Sequence, residues 1–294
     1  MVLSRWLGLL RARHDYQHGG TLSVRILQGN CLDVLRTLPD ESVHCIVTSP
    51  PYFWLRDYGC EGQIGHEPDV ASFIAIIGDV FDGARRVLRA DGVLWLNLGD
   101  SYYSGNGQPM GRDPKSSSRN FSRGKLRPLD VGGWDIPKKS LLGIPWLCAL
   151  ELQRRGWTLR SDIIWCRSTA LAEPSVTDRP GRQHEYLFLL SKSRRYFFNK
   201  AGNPEASVWH IAHERNVKGH NAAFPEELVE RCIATGCPPA GTVLDPFGGS
   251  GTSGLVADRM GRDAILIELN PEYAAMAERR IRGDAPMLSS ITTD

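Results

Sequence analysis

The sequence contains no closely spaced cysteine pair of the kind that binds zinc or carries redox chemistry. Its seven cysteines are an odd number, scattered between Cys31 and Cys237 without a Cys-x-x-Cys spacing. We therefore expect reduced thiols and no metal site. His184 and Glu185 are adjacent but lack the His-Glu-x-x-His spacing of a zinc protease, so we interpret both as structural residues.

Long hydrophobic runs are also missing. The apolar stretches at 93–98 and 186–190 are far shorter than the roughly 18 residues that a membrane span requires. Residues 1–20 are interrupted by charged side chains and lack a small-residue cleavage pattern, which argues against a secretory signal. We therefore expect a cytoplasmic protein without a membrane partner.

The net charge of +2 is too small to indicate a nucleic-acid partner by itself. The charge is unevenly distributed, because residues 101–139 contain eight basic and three acidic side chains, a surplus of five positive charges. This segment has no apolar periodicity and is much longer than an ordinary connection. Its composition alone leaves two interpretations open, a mobile linker and a functional loop.

Strand and helix patterns alternate along the rest of the chain, whose 294 residues suffice for one large core. Strands are predicted at 43–48, 93–98, 159–165, 185–190, 242–245 and 263–268, and helices at 73–88, 141–155, 225–234, 250–260 and 271–281. This alternation predicts an α/β fold with a mostly parallel, doubly wound sheet. Ligands of such sheets bind beyond the carboxyl ends of the strands, so the turns there are the candidate sites.

The turn after the first predicted strand reads Ser49-Pro50-Pro51-Tyr52. The prolines make the backbone rigid and leave its carbonyl groups free. A serine hydroxyl beside the Pro50 carbonyl offers two acceptors, which suit the two hydrogens of an amino group. Tyr52 offers a face on which a base extruded from a duplex can stack. An ordinary turn with a core tyrosine is the alternative that this motif leaves open.

A second turn, at residues 245–254, is rich in glycine and reads DPFGGSGTSG. Glycines let a ligand approach a helix N-terminus closely, and the absence of a following lysine excludes a P-loop. Glu268 ends the next predicted strand about 20 residues later, where α/β nucleotide sites hold ribose hydroxyls. An adenosine-type ligand is indicated. A dinucleotide stays open as a weaker alternative, because the turn also satisfies Gly-x-Gly-x-x-Gly.

The two motifs in this order resemble the β group of amino-methylating DNA methyltransferases, over roughly residues 24–282. The resemblance implies a Rossmann-like methyltransferase fold that uses S-adenosylmethionine. It also implies site-specific methylation of the exocyclic amine of a flipped base in double-stranded DNA, with direct attack on the methyl group and no metal. The catalytic residues that it implies are Ser49, Pro50, Pro51 and Tyr52. The cofactor-binding residues that it implies are Asn30, Cys31, Thr48, Phe224, Asp245, Pro246, Phe247, Gly249, Ser250, Gly251, Thr252 and Glu268.

Two positions depart from the pattern of the group. Asn30 stands where aspartate is commoner, although its amide oxygen can still accept a hydrogen bond from an adenine amine. Asn221 replaces a usual proline in the segment 218–225 that covers the methionine end of the cofactor.

A DNA substrate implies that the basic segment orders over the duplex and contacts phosphates. The residues expected to make these contacts are Arg112, Lys115, Arg119, Arg123, Lys125 and Arg127. We predict an N-terminal extension (1–22), a catalytic half (23–100), the basic loop (101–139), a continuation of the core (140–191), a target-recognition segment (192–217), a cofactor-binding half (218–283) and a tail (284–294).

The choice of base has evidence on both sides. Serine at the head of the Ser49 motif is commoner among cytosine-N4 enzymes of the group, whereas the runs at 48–59 and 95–102 resemble solitary adenine-N6 enzymes. We favour adenine N6, with cytosine N4 as the alternative. An inactive DNA-binding module is less favoured, because Ser49, Tyr52, Asp245 and Glu268 are intact. An RNA or protein methyltransferase is less favoured, because the long basic segment suits DNA. The resemblance also implies a homodimer, and a cognate restriction endonuclease is a partner that the sequence does not identify.

Overall fold

The computed structural model describes residues 22–55, 57–103, 136–167, 177–202, 206–212, 224–284 and 289–293. The strands are β1 (Leu22–Gln28), β2 (Val43–Thr48), β3 (Leu88–Leu98), β4 (Thr158–Cys166), β5 (His184–Ser191), β6 (Val208–His210), β7 (Thr242–Asp245), β8 (Asp263–Glu268) and β9 (Ser289–Thr293). The helices are α1 (Cys31–Thr37), α2 (Val70–Val87), α3 (Ile144–Arg154), α4 (Glu226–Gly236), α5 (Thr252–Arg259) and α6 (Pro271–Asp284), and a 3₁₀ turn spans Lys200–Gly202.

These strands form one sheet in the order β6-β4-β5-β3-β2-β7-β8-β1-β9. β5 runs antiparallel to its neighbours β3 and β4, and the other pairings between described strands are parallel. The prediction of a mostly parallel α/β sheet is confirmed. Because β5 is reversed, its amino end lies at the same edge of the sheet as the carboxyl ends of the parallel strands.

Helices cover both faces of the sheet. Helices α1, α2 and α3 pack on one face through residues such as Leu35, Phe73 and Cys148, and α4, α5 and α6 pack on the other. Within β2, Ile46 belongs to the first core and its neighbours Cys45 and Val47 to the second, as the two-residue period of a strand requires. Burial on both faces explains why β2 reads as a continuous apolar run.

The predicted elements are present, with boundaries that differ by a few residues. Helix α2 begins earlier than predicted, because the Asp69 side chain accepts a hydrogen bond from Ser72 N over 2.7 Å and caps it. Four further elements are α1, β1, β6 and β9, and the sequence patterns did not indicate them. β6 has three residues, and β9 is an edge strand of mostly serine and threonine, so neither carries an apolar signal. No described helix is long and apolar enough to cross a membrane.

Candidate active site

A cavity of about 250 Å³ opens at the carboxyl edge of the sheet. Both predicted turns line it, one after β2 and the other after β7. The lining residues that these turns supply are Ser49, Pro50, Pro51, Tyr52, Phe247, Gly249, Ser250 and Thr252. The fold therefore brings the two motifs to one site. Among the described residues no cluster of His, Cys, Asp and Glu could hold a metal ion.

Tyr52 is the centre of the hydrogen bonding at one end of this cavity. Its hydroxyl donates to Glu185 Oε2 over 2.6 Å and lies 3.5 Å from Ser49 Oγ, which donates to it. Burial, and then the negative charge of Glu185, raise the pKa of Tyr52 well above its usual value, so the phenol is neutral. Its ring packs against Gly99, where a Cβ would lie 2.6 Å from Tyr52 Cε2.

Three residues that we did not assign from the sequence complete this end of the site. Asn97 on β3 donates to Glu185 Oε2 over 3.3 Å, and Arg167 after β4 places Nη1 3.4 Å from Glu185 Oε1. All three line the cavity. We interpreted Glu185 as structural because the His184-Glu185 pair lacks a His-Glu-x-x-His spacing, and the reversal of β5, which contains Glu185, brings it to the site. The available signal was the lack of a helix pattern between the strand patterns at 159–165 and 185–190, which indicates antiparallel pairing.

Glu268 organises the opposite end of the cavity. Its Oε2 accepts a hydrogen bond from Gly249 N over 2.7 Å, and its Oε1 accepts one from Asn270 N over 2.8 Å. Burial is the main cause of its raised pKa. Each carboxylate oxygen can accept a further hydrogen bond, so Glu268 suits a pair of ribose hydroxyls. The backbone at Gly249 lines the cavity without a side chain, so the site fits an adenosine-type ligand.

A smaller cavity of about 40 Å³ adjoins the first, and both are lined by Phe247 and Glu268. Asn30, Cys31 and Pro246 line only the smaller one. The Asn30 side chain caps α1 by accepting a hydrogen bond from Leu32 N over 2.9 Å. Burial raises the pKa of Cys31 to about 12, so its thiol is neutral.

Three expected cofactor contacts lie behind the cavity wall. Thr48 and Asp245 are almost completely buried, and neither is among the residues that line the two cavities. Gly251 has a φ of 82°, and a Cβ there would point at Ala277 of α6 rather than into the site. In this structure these residues hold the glycine turn in place, and their contact with the cofactor stays a prediction.

Several predicted residues lie in segments that are partly or wholly outside the described residues. Phe224 lines the cavity, whereas residues 218–223 of the expected covering segment lie outside the described residues. The six basic residues expected to contact DNA all lie within 104–135, which is also outside them. Of the predicted recognition segment 192–217, the described part includes β6, whose Trp209 is buried.

Comparison with known proteins identifies the family of the chain. The model of the DNA methylase family N6_N4_Mtase matches residues 43–279. The chain is 43% identical to the Type II methyltransferase M.Cfr9I of Citrobacter freundii over 88% of each chain. It is 42% identical to M.SmaI of Serratia marcescens, over 88% of this chain and 91% of that protein. It is 44% identical to M.XycI of Xanthomonas campestris pv. cyanopsidis, over 94% and 92%.

Solved structures of DNA methyltransferases share the fold. The cytosine-N4-specific PvuII DNA methyltransferase has a TM-score of 0.67 at 20% identity, over 89% of each chain. A putative DNA modification methylase of Thermus thermophilus, complexed with S-adenosylmethionine, has a TM-score of 0.62 at 24% identity, over 92% of this chain and 99% of that one. With the family match, these likenesses confirm the methyltransferase fold. The chain belongs to the N6_N4_Mtase family of DNA methylases, and its methyl donor is S-adenosylmethionine.

Proposed function

We propose that this chain is a site-specific methyltransferase that modifies the exocyclic amine of a base flipped out of double-stranded DNA. The observation that carries the proposal is one cavity with two chemically different ends. Ser49, Pro50 and Tyr52 line the end that suits a flat base with an amino group. Gly249 and Glu268 line the end that suits the adenosine part of the methyl donor.

The residues at the base end act by positioning and electrostatics. The lone pair of an exocyclic amine is delocalised into the ring, so the amine is a weak nucleophile. Hydrogen bonds from its hydrogens to Ser49 Oγ and to the Pro50 carbonyl localise the lone pair on nitrogen. Stacking on Tyr52 fixes the plane of the base. When bound at the Glu268 end, S-adenosylmethionine supplies an electrophilic methyl group.

We infer that cytosine N4 is the target. A flipped base is read along its Watson–Crick edge, where cytosine carries the carbonyl oxygen O2 and adenine carries a C–H group. The guanidinium of Arg167 lines the cavity and can donate to such an oxygen. Ser49 at the head of its motif supports the same choice. Adenine N6, which the runs at 48–59 and 95–102 favour, is the second candidate and stays a prediction.

Nucleoside analysis tests both statements. The purified protein is incubated with unmethylated genomic DNA and labelled S-adenosylmethionine, and the digested nucleosides are identified by mass spectrometry. We expect N4-methylcytosine. N6-methyladenine would overturn the choice of base and leave the activity standing, whereas the absence of any methylated nucleoside would refute the activity.

The six basic residues at 112–127 stay our predicted phosphate contacts. Arg123→Gln and Lys125→Gln should each weaken DNA binding and lower the slope of log K against log salt by about 1. Isothermal titration calorimetry of DNA binding at several salt concentrations measures this slope. An unchanged slope for both variants would remove these residues from the interface.

Three further predictions concern the oligomeric state of the enzyme, its location in the cell and a partner nuclease. We infer a homodimer, because related enzymes of the group often form one, and light scattering measures the mass directly. A cytoplasmic location and a cognate restriction endonuclease are supported by the likeness to Type II methyltransferases. Genes adjacent to the one that encodes this chain would reveal such a nuclease.

A further inference from the structure

We propose that Glu185 is the final proton acceptor of the methylation and that the proton reaches it from the amine through Ser49 and Tyr52. The proposal rests on the proposed function, because it assigns a role within the same site. A base methylated on its neutral amine must lose one proton to become the neutral product. The site therefore needs a group that takes this proton.

The carboxylates that line the cavity identify the acceptor. Among the described lining residues they are Glu185 and Glu268. Glu268 lies at the glycine turn, where Gly249 N and Asn270 N donate to its two oxygens. Glu185 lies at the base end, in contact with the Ser49 motif through Tyr52.

Donor and acceptor distances give the hydrogen bonds one direction. Tyr52 has a single hydroxyl hydrogen, and Glu185 Oε2 at 2.6 Å is a closer acceptor than Asn97 Oδ1 at 3.3 Å. The lone pairs of Tyr52 Oη are then free to accept from Ser49 Oγ; the separation of 3.5 Å is longer than an ordinary O–H···O hydrogen bond, so the two oxygens must move closer when the base binds. The Ser49 oxygen in turn keeps lone pairs for the amine of the base. Both hydroxyl hydrogens therefore point toward the carboxylate before the base enters.

In this arrangement three successive proton transfers accompany the methylation. As the nitrogen–carbon bond forms and the sulfur–carbon bond breaks, the nitrogen releases a proton to Ser49 Oγ. Ser49 passes its own proton to Tyr52 Oη, and Tyr52 passes its proton to Glu185 Oε2. Serine and tyrosine end neutral, in agreement with the raised pKa of Tyr52. The protonated carboxyl of Glu185, whose side chain is 13% exposed, then releases the proton to solvent.

The surroundings hold Glu185 in this position. Asn97 donates to Oε2 over 3.3 Å, and Arg167 faces Oε1 across 3.4 Å. The titratable or charged groups that face Glu185 are Tyr52 on the turn after β2, Arg167 after β4 and His184 on β5 itself. Two of its contacts are longer than 3.2 Å, so the carboxylate is oriented without being neutralised by a close bidentate pair.

Single-turnover methylation of DNA at saturating S-adenosylmethionine tests the role. Glu185→Gln keeps the shape and can still accept from Tyr52, but it cannot take a proton. We expect the transfer rate to fall about 100-fold or more, with unchanged affinity for DNA. Glu185→Asp should recover part of the rate. Glu41→Gln removes an exposed carboxylate paired with Lys192 and should leave the rate unchanged.

A double-mutant cycle separates a relay from simple support of the tyrosine ring. Tyr52→Phe keeps the ring and breaks the relay, so its rate should fall about as far as that of Glu185→Gln, and the double variant should be little slower than either. The proposal fails if the rate of Glu185→Gln stays within about three-fold of the wild-type rate. It also fails if the loss of rate in the double variant equals the product of the losses in Glu185→Gln and Tyr52→Phe. A wild-type protein that methylates no DNA would refute the proposed function, a result distinct from these.

Discussion

Thr48 Oγ1 donates a hydrogen bond of 2.6 Å to Asp245 Oδ1, between residues 197 positions apart in the chain. Thr48 ends β2 and Asp245 ends β7, and these strands are neighbours in the sheet. Ser253 Oγ donates to the other oxygen over 2.5 Å, and Phe247 N donates to Oδ1 over 3.1 Å. One buried carboxylate therefore fixes the turn after β2, which contains Ser49, and the glycine turn after β7 relative to each other.

Removal of the Thr48 hydroxyl should loosen this link. Burial raises the pKa of Asp245, and its hydrogen bonds to Thr48 and Ser253 favour the charged form. We expect Thr48→Val, which keeps the shape, to lower the free energy of unfolding by about 1.5–3 kcal/mol, as for a buried hydrogen bond to a charged group. Urea denaturation measures this change. Thr37→Val removes an exposed hydroxyl bonded to a carbonyl and should cost clearly less; equal losses would contradict the assignment.

A comparison of alanine variants at Gly251 and Gly261 distinguishes the effect of backbone strain from that of steric contact. Both have positive φ, 82° and 71°, but a Cβ at Gly251 would lie 2.7 Å from Ala277 Cβ, whereas nothing lies within 4 Å of one at Gly261. Gly261→Ala should destabilise by about 1 kcal/mol through strain alone. Gly251→Ala should cost about 1–3 kcal/mol more, because α6 must move, and should weaken cofactor binding. Thermal unfolding and calorimetric titration with S-adenosylmethionine distinguish the two variants, and equal melting temperatures would refute the contact.

Local patterns predicted most of the fold and the two motifs. The strand ends at Thr48, Asp245 and Glu268 follow from buried apolar runs, and ligand turns follow strand ends in this architecture. These inferences needed information only from neighbouring residues in the chain.

The rest depended on contacts between distant parts of the chain. Glu185 reaches the site because β5 is reversed, and the only sequence signal for that direction was the missing helix pattern before the strand, not a residue near Glu185. The hydrogen bond between Thr48 and Asp245 becomes visible only when β2 and β7 are neighbours, so the sequence did not predict it. The close approach of Ala277 of α6 to Gly251 was not predicted for the same reason, because it joins distant parts of the chain.

We expect Glu268, if it holds the ribose as predicted, to make cofactor binding dependent on pH. Its carboxylate must be ionised to accept two ribose hydroxyls, and burial raises its pKa above the usual 4.5. Protonation therefore persists to higher pH than for an ordinary glutamate, and affinity should fall as the pH drops through the raised pKa. The stability of the free protein depends on pH in the opposite direction. The stabilisation that the raised pKa of Glu268 contributes is fully present below the ordinary pKa of glutamate and is lost as pH rises through the raised pKa.

Titrations with S-adenosylmethionine at several pH values measure this dependence, with circular dichroism to verify that the protein stays folded. Glu268→Gln should bind the cofactor more weakly at neutral pH and should lose most of the pH dependence. A wild-type affinity that is constant down to the ordinary pKa of glutamate would show that the carboxylate does not hold the ribose.

Gly99 leaves room for the Tyr52 ring, and it is not among the residues that line the two cavities. A Cβ there would lie 2.6 Å from Cε2 and 3.2 Å from Cζ of Tyr52, so Gly99→Ala must displace the ring. A displacement of this size at a reacting centre costs up to about 100-fold in rate. We expect the methyl-transfer rate of Gly99→Ala to fall by about 10- to 100-fold, toward that of Tyr52→Ala, while the affinity for S-adenosylmethionine is retained. Gly283→Ala, which meets nothing within 4 Å, is the control. A Gly99→Ala rate equal to that of the control would mean that the ring position does not limit transfer.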